Sequence, residues 1–359
     1  MPGVERFTAN LLRRGALACA RDAVEIVQRD APALIKSGLP DTFADPVEDT
    51  RVRLLTLAEA IDVDRAELFA HQVEWYRVAL AHRGVDDAYL PANLRALHEA
   101  LAIALPAECG SLVQRHLAVA DAAARAAPRE LPSWLAGSGP LRDAARRFLL
   151  AALENRRDDA IGAVLRLRAD GVAVADLHDN VLALVLREVG RMWLMAEIPI
   201  ADEHFVSRVV EACFERLAER AESVKPTGRK VLLFGVGGDQ HGLAVRFVAD
   251  RLAMRGHEVW FLGPDQPASD LEWTLQDRAV DLIACGASLV LHLGSARATI
   301  EQLRASLRDR CPPILVGGAP FAVAPDLYRV LGADAGAADA ATAAALADEL
   351  LARGSRRSV

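Results

Sequence analysis

From Lys230 onward the chain alternates short apolar runs with helical stretches, and no other feature constrains the fold as tightly. The runs are Val231-Leu232-Leu233-Phe234, Val259-Trp260-Phe261-Leu262, Leu282-Ile283-Ala284-Cys285 and Ile314-Leu315-Val316. They are too short for buried helices. Continuous apolar runs between helices are what a parallel sheet requires, because its crossover helices bury both faces. The pattern predicts a doubly wound α/β domain. Sheets of that kind bind ligands outside the carboxyl ends of their strands, where the strand order reverses.

The region ahead of Lys230 reads as helical. Hydrophobic residues make up 52% of the chain but aromatic residues only 5%, so Ala, Leu and Val must do most of the packing. Ala and Leu are strong helix formers. From Phe7 to Arg125 helices are broken at Pro40, Pro46, Pro91 and Pro106, with no β alternation. Ala127 to Pro140 is rich in Pro, Gly and Ser and reads as a linker. From Leu141 to Ser223 apolar residues recur at helical spacing: Phe148, Leu149, Ala152, then Ile161, Val164, Leu165, then Val181, Leu184, Val185. Asp158 and Asp176 stand near helix starts, where the helix dipole favours a carboxylate. Four helices in an antiparallel bundle fit this block. The expected organisation is therefore a helical domain over 1–126, a linker over 127–140, a four-helix bundle over 141–225, an α/β domain over 226–352 and a tail over 353–359.

Several function classes are set aside by composition. The formal net charge is -7, and Arg is interleaved with Asp and Glu rather than gathered into a basic stripe. Leu55 to Phe69 is compatible with the first half of a helix-turn-helix, but no basic recognition helix follows it, so no direct nucleic-acid contact is expected. Cys19, Cys109, Cys213, Cys285 and Cys311 are scattered, with no CxxC pair, which fits a reducing cytoplasm rather than a disulfide framework or zinc site. The apolar runs are far too short to span a bilayer, and the start of the chain lacks the pattern of a signal peptide, so a cytoplasmic chain without a membrane partner is expected. No nucleophile elbow, HExxH or paired carboxylates appear, so the chain is not expected to be an enzyme. His178, His257 and His292 have no partner recognisable from sequence.

The loop after the first apolar run is Gly235-Val236-Gly237-Gly238-Asp239-Gln240-His241-Gly242. It is not a dinucleotide fingerprint, because Asp239 and His241 occupy the positions where phosphate would approach, and it is not a P-loop, because no Gly-Lys-Ser/Thr follows. A histidine at a strand's carboxyl end can instead aim a ring nitrogen at a metal. A carboxylate two residues earlier can then take the other N–H and raise the ligand's basicity. Gly242 would let a bulky ligand pass close to the helix start. Asp239-x-His241 with Gly242 resembles the Asp-x-His-x-x-Gly motif of cobalamin-binding domains, with Ala244 in place of the last Gly. Ser288-Leu289-Val290 resembles that family's Ser-x-Leu element, with Val290 for Leu, and Gly317-Gly318 resembles its Gly-Gly. The resemblance implies a flavodoxin-like sheet domain and cobalamin held with His241 as lower cobalt ligand. It further implies that Ser288 bonds the displaced benzimidazole and that the glycines make room for the nucleotide tail.

The bundle carries a second resemblance. Val189-Gly190-Arg191-Met192-Trp193 followed by Glu203-His204 is similar to the cap of the cobalamin module in methionine synthases. Trp193, nine residues, then Glu203-His204 resembles more narrowly the adenosylcobalamin photoreceptors that regulate carotenoid genes. There the Trp packs on the upper adenosyl group, and the histidine can take the upper position once light has broken the cobalt–carbon bond. Trp193 is suited to stacking on a nucleoside and His204 to cobalt ligation. Pro199 between them is expected to turn the chain so that two helix ends face one cavity. Those regulators begin with a DNA-binding helix-turn-helix, which this chain lacks. A globin-like domain ahead of a cobalamin module resembles the photocobilins, which also bind a bilin. That resemblance implies biliverdin in the first domain, with His71, Trp75, Tyr76, His82, Tyr89 and His98 as candidate residues. The expected function is a light sensor signalling by conformational or oligomeric change to a downstream partner. A corrinoid methyl carrier is the alternative.

Overall fold

The structure, a computed structural model, describes residues 3–36, 43, 45–219 and 224–355. These form two compact units. One comprises residues up to 77, 84–127 and 225 onward; the other comprises 78–83 and 128–224.

In the first unit, α1 (Val4–Asp30), α2 (Pro32–Lys36), α3 (Pro46–Asp62), most of α4 (Ala66–Ala81), α5 (Tyr89–Ala104) and α6 (Ala107–Ala126) precede the sheet. Helix α1 buries Ala9, Leu12, Ala16, Ala20, Ala23 and Val27, a stripe at three- and four-residue spacing that packs on α3 and α5. Helix α3 starts where Asp45 accepts hydrogen bonds from the N–H groups of Val47 (2.9 Å) and Glu48 (3.1 Å), with Pro46 at the first helical position. The core between α3, α4 and α5 holds a charged group. Arg53, 0% exposed, donates to Asp49 and Asn93 and lies with its guanidinium 4.6 Å from the centre of the Tyr76 ring.

The sheet segment contains β1 (Lys230–Gly235), β2 (Glu258–Phe261), β3 (Leu282–Gly286), β4 (Ile314–Gly317) and β5 (Ala335–Ala337), all parallel in the order β2-β1-β3-β4-β5. This is a doubly wound sheet, with its switch point between β1 and β3. One face buries Val231, Leu233, Leu282 and Leu315 under Val245, Ala249, Leu252, Ala344 and Ala347. These last come from α12 (Gly242–Ala253) and α17 (Ala340–Ser355). The register places Gly235 beside Gly286, Gly286 beside Gly317, and Gly317 beside Ala337. The carboxyl edge is thus a row of backbone nearly bare of side chains. The sequence pattern missed β5, whose Ala-Gly-Ala has no strand propensity.

A free-standing first domain is not what forms. The N-terminal helices pack directly on α14 (Leu293–Leu307) of the sheet segment through a buried ion network. Arg13 bonds Glu59 and Asp62 at 2.9 Å each, and Arg297 meets Asp62 at 2.9 Å. Helix α17 runs on to Ser355, so residues 353–355 of the expected tail are helical; the rest of that tail lies outside the described residues.

The second unit is a bundle of α7 (Pro140–Leu153), α8 (Arg157–Ala169), a third helix from Val174 to Leu194, and α11 (Ile200–Ala218). The third helix comprises α9 (Val174–Leu177), one π-turn over His178–Leu182, and α10 (Ala183–Leu194). The Pro/Gly/Ser-rich stretch ahead of α7 is strapped to α7 and α10. Trp134 N–H donates to Glu188 (2.7 Å), Arg146 donates to the Leu135 carbonyl (2.9 Å), and Leu135 is buried.

Candidate functional site

The loop after β1 is held open by its neighbours. Asp265, in the loop after β2, accepts from Gly238 N–H (2.7 Å) and from the Gln240 amide (3.0 Å), and its own N–H donates to the Asp239 carbonyl (3.0 Å). This presents Asp239 to the switch point. Its carboxylate is 2% exposed and accepts from His241 Nδ1 (2.9 Å), from His241 N–H (3.0 Å) and, across the switch point, from Ser288 N–H at the end of β3 (2.6 Å). Burial alone would raise the Asp239 carboxyl. Hydrogen bonds from the His241 ring and from the backbone of Ser288 and His241, together with the nearby His292 imidazole, outweigh it and hold the group well below the usual carboxylate range. The carboxylate is therefore ionised and fixes the tautomer of His241, with the proton on Nδ1. Nε2 is then the nitrogen that would meet a metal.

His241 is 57% exposed although its partner is buried. An imidazole anchored at one nitrogen and projecting from a sheet edge suits axial ligation. Among the described residues no three His, Cys, Asp or Glu converge to hold a bare ion. A single exposed histidine could complete the coordination of a metal that brings its own macrocycle.

The glycines are also required by the packing of the site. A Cβ on Gly242 would meet Pro264 at 3.0 Å, so Gly242 also lets the start of α12 pack against the loop after β2. A Cβ on Gly317 would meet the Ala337 carbonyl at 3.1 Å. Gly318, at φ +139°, lies against Ala287 and Ser288. These two glycines bring the ends of β3, β4 and β5 together, so the edge beside Ser288 is backbone. Val290 is buried in the 3-10 turn Val290–His292, and Ala244 is exposed.

In the bundle, Trp193 sits in the last turn of α10 and Glu203 and His204 in the first turn of α11, so both helix ends lie at one end of the bundle. Pro199 is the N-cap of α11, at the turn expected of it. Glu203 accepts from Ser207 Oγ (2.9 Å), and His204 is 73% exposed. Arg83 donates to the Trp193 and Leu194 carbonyls at 2.7 Å each and places its guanidinium 5.3 Å from the centre of the Trp193 ring. Arg191 bridges Glu188 and Glu197 at 2.8 Å each and pins the turn between the helices.

The candidate bilin residues do not converge. Tyr76 and Tyr89 are buried about Arg53, and Trp75 meets Tyr76 edge-on at 5.3 Å. His71 and His98 are exposed, and His82 Nε2 bonds the Arg129 carbonyl at 2.7 Å. Of the histidines without a sequence partner, His257 meets Asp348 (2.8 Å), His178 lies edge-on to Phe214 (4.5 Å), and His292 joins the site. Asp265, Arg83 and His292 were missed by sequence reasoning. Their partners are distant in the chain, and no local motif marks them.

Comparison with known proteins agrees with this geometry. A B12 binding domain matches residues 229–346, and a second B12 binding domain model matches residues 144–218. The chain is 32% identical over 169 residues to dimethylamine corrinoid protein 3 of Methanosarcina acetivorans, covering 46% of this chain and 75% of that one. It is 28% identical over 266 residues to the HTH-type transcriptional repressor CarH of Myxococcus xanthus, covering 71% and 87%. The structure of the monomethylamine corrinoid protein of Methanosarcina barkeri shares the fold, with a TM-score of 0.52 at 22% identity over 59% of this chain and all of the other. The chain belongs to the family of cobalamin (B12)-binding proteins.

Proposed function

We propose that the protein is a light sensor that holds adenosylcobalamin with His241 as lower cobalt ligand. The observation that carries cobalamin ligation is the buried, ionised Asp239 fixing an exposed His241 at the switch point. Ser288, Val290, Gly317 and Gly318 line the same edge as the side toward the nucleotide tail. The sensor reading rests on Trp193, Glu203 and His204 at one end of the bundle, and on similarity to CarH over 71% of this chain.

Bound adenosylcobalamin supplies a cobalt–carbon bond that visible light breaks. Trp193 offers the adenosyl group a rigid aromatic face. Loss of that group would take away the contact of Trp193, and the exposed His204 would be the residue to turn toward the metal. The bundle repacks and the output is a change of shape or assembly, passed to a protein partner without direct nucleic-acid contact. Biliverdin in the N-terminal helices would tune the colour response. No step assigns the chain a catalytic residue.

The test is an absorption spectrum of the full chain in the dark and after illumination, with adenosylcobalamin and with biliverdin each added. An irreversible light-driven change accompanied by a change in protein shape supports the sensor. A cofactor as light-sensitive as when free, with no change in shape, refutes it. His204→Ala is expected to bind adenosylcobalamin but to give a different photoproduct spectrum; an unchanged photoproduct removes His204. The 32% identity to a dimethylamine corrinoid protein favours a second reading, a methyl carrier. Demethylation of bound methylcobalamin by a thiol acceptor would support it.

A further inference from the structure

Helix α14 begins without a side-chain cap of its own. Its N-cap residue is His292, whose imidazole makes no capping bond. The ring turns to the site instead. Its Nδ1 lies 3.5 Å from Asp239 Oδ2, and the side chain is 10% exposed. That nitrogen is buried and makes no hydrogen bond among the described residues. A buried ring nitrogen without a partner is costly, so it calls for a reason. At 3.5 Å the pair is just too long for a hydrogen bond, and a small rotation closes it. The other carboxylate oxygen, Oδ1, is the one that holds His241 Nδ1.

The bare start of α14 is met from elsewhere in the chain. Glu59 of α3 faces the backbone of Gly294, where an added Cβ would lie 2.8 Å from Oε2 and 3.0 Å from Oε1. A carboxylate there is favourable to the helix dipole. Asp62, one turn further along α3, holds Arg297 of α14, and Arg13 of α1 ties Glu59 and Asp62 together. The first turn of α14, and with it His292, is therefore positioned by the N-terminal helices.

We propose that His292 is a positioning residue for His241, acting through Asp239, and that Glu59 sets how closely His292 approaches. This rests on the reading of His241 as lower cobalt ligand. An N–H donor brought onto Oδ2 draws charge from the carboxylate and weakens its hold on the His241 Nδ1–H, making the axial nitrogen a poorer ligand. Withdrawal of that donor does the opposite. A displacement of the N-terminal helices thus changes the strength of the lower ligand through α14.

The test uses the full chain loaded with cobalamin, reduced to the cobalt(II) state and read by electron paramagnetic resonance. A stronger axial nitrogen shows as a smaller cobalt hyperfine splitting. His292→Ala is expected to shrink the splitting. His292→Asn, which returns an N–H near the position of Nδ1, is expected to restore the wild-type value. Gly294→Ala, which forces Glu59 aside, is expected to shift the splitting in the wild-type background and to have no effect once His292 is alanine. If His292→Ala does not fold, His292→Leu replaces it. A wild-type splitting in His292→Ala, with loss of the nitrogen pattern in His241→Ala, overturns the role of His292 and leaves the ligand reading standing. Persistence of the nitrogen pattern in His241→Ala loaded with cobinamide, which carries no benzimidazole, overturns the ligand reading itself. A Gly294→Ala shift that survives without His292, or no shift at all, overturns the part played by Glu59.

Discussion

Replacing Gly318 by alanine should be far more damaging than one methyl group suggests. The backbone there has φ +139°, a region open essentially to glycine, and holding alanine in it costs about 1–3 kcal/mol. The added Cβ would also sit 2.7 Å from the carbonyl carbon of Ala287 and 3.3 Å from Ser288 Cα, with the Ala287 oxygen closer still. Comfortable carbon–carbon separations are about 3.5–4.0 Å, so the ends of β3 and β4 must part by about 1 Å. Both obstructing groups are backbone and cannot swing away. Parting them weakens the Ala287 N–H bond to the Gly317 carbonyl (2.8 Å), worth about 1 kcal/mol, and overpacking strain adds about 1–3 kcal/mol. The total, roughly 3–7 kcal/mol, is a large share of a typical stability of about 5–15 kcal/mol. Urea unfolding followed by circular dichroism measures it. The control is Gly84→Ala, at φ +73° with nothing within 4 Å of the added carbon, where only the backbone term applies at about 1 kcal/mol. If Gly318→Ala cost no more than Gly84→Ala, the claim that this glycine brings the strand ends together would fail.

Three further outcomes follow from buried groups. Burial pushes the Cys213 and Cys285 thiols up to about 12, and Cys19 and Cys109 are also buried, so a thiol reagent at neutral pH should label Cys311 alone in the native chain and all five cysteines in denaturant; a second fast-reacting thiol would contradict this. Asp239 is held below its unfolded value of about 3.9, so its contribution to stability is present above that pH and is lost as pH falls toward the folded value. Asp239→Asn should flatten the loss of stability below about pH 4, and equal slopes in the two proteins would sink the assignment. Arg53→Met should destabilise the fold by about 3–5 kcal/mol because it leaves Asp49 buried without its cation, whereas the double change with Asp49→Leu should recover most of that; failure of the double variant to recover would show that the polar cluster is needed for shape rather than for charge.

The parts legible in the sequence are those encoded over a few residues. Strands β1 to β4 stood out because Val, Leu, Ile and Phe run together between helical stretches, whereas β5 is three small residues and carries no such signal. Asp239 and His241 are two residues apart, so their pairing could be read directly, whereas Ser288 stood out by resemblance for its hydroxyl and the bond from its backbone N–H to Asp239 was not foreseen. Gly242 and Gly318 were legible as positions that exclude a side chain, but their packing contacts were not. What they accommodate is Pro264 and the Ala287–Ser288 backbone, which only the folded register brings near. The stretch ahead of α7 has a linker's composition and yet is strapped down, because its backbone finds Glu188.

Charges on the N-terminal helices are the instructive failure. Glu59 and Asp62, three residues apart on α3, have the spacing of an ordinary solvated helix face. In the fold their side chains are 8% and 5% exposed. Nothing local distinguishes them from Glu67 or Glu74, which remain at the surface at 50% and 43%. The difference is made by Arg13, by Arg297 and by the uncapped start of α14, lying before and well after them in the chain. Taking two carboxylates out of water is costly unless cations and helix N–H groups meet them. The sheet segment supplies two of those three partners, so the N-terminal helices and the sheet complete each other electrostatically. That mutual requirement explains why helices the sequence presents as a separate domain fold as one unit with the strands that carry His241.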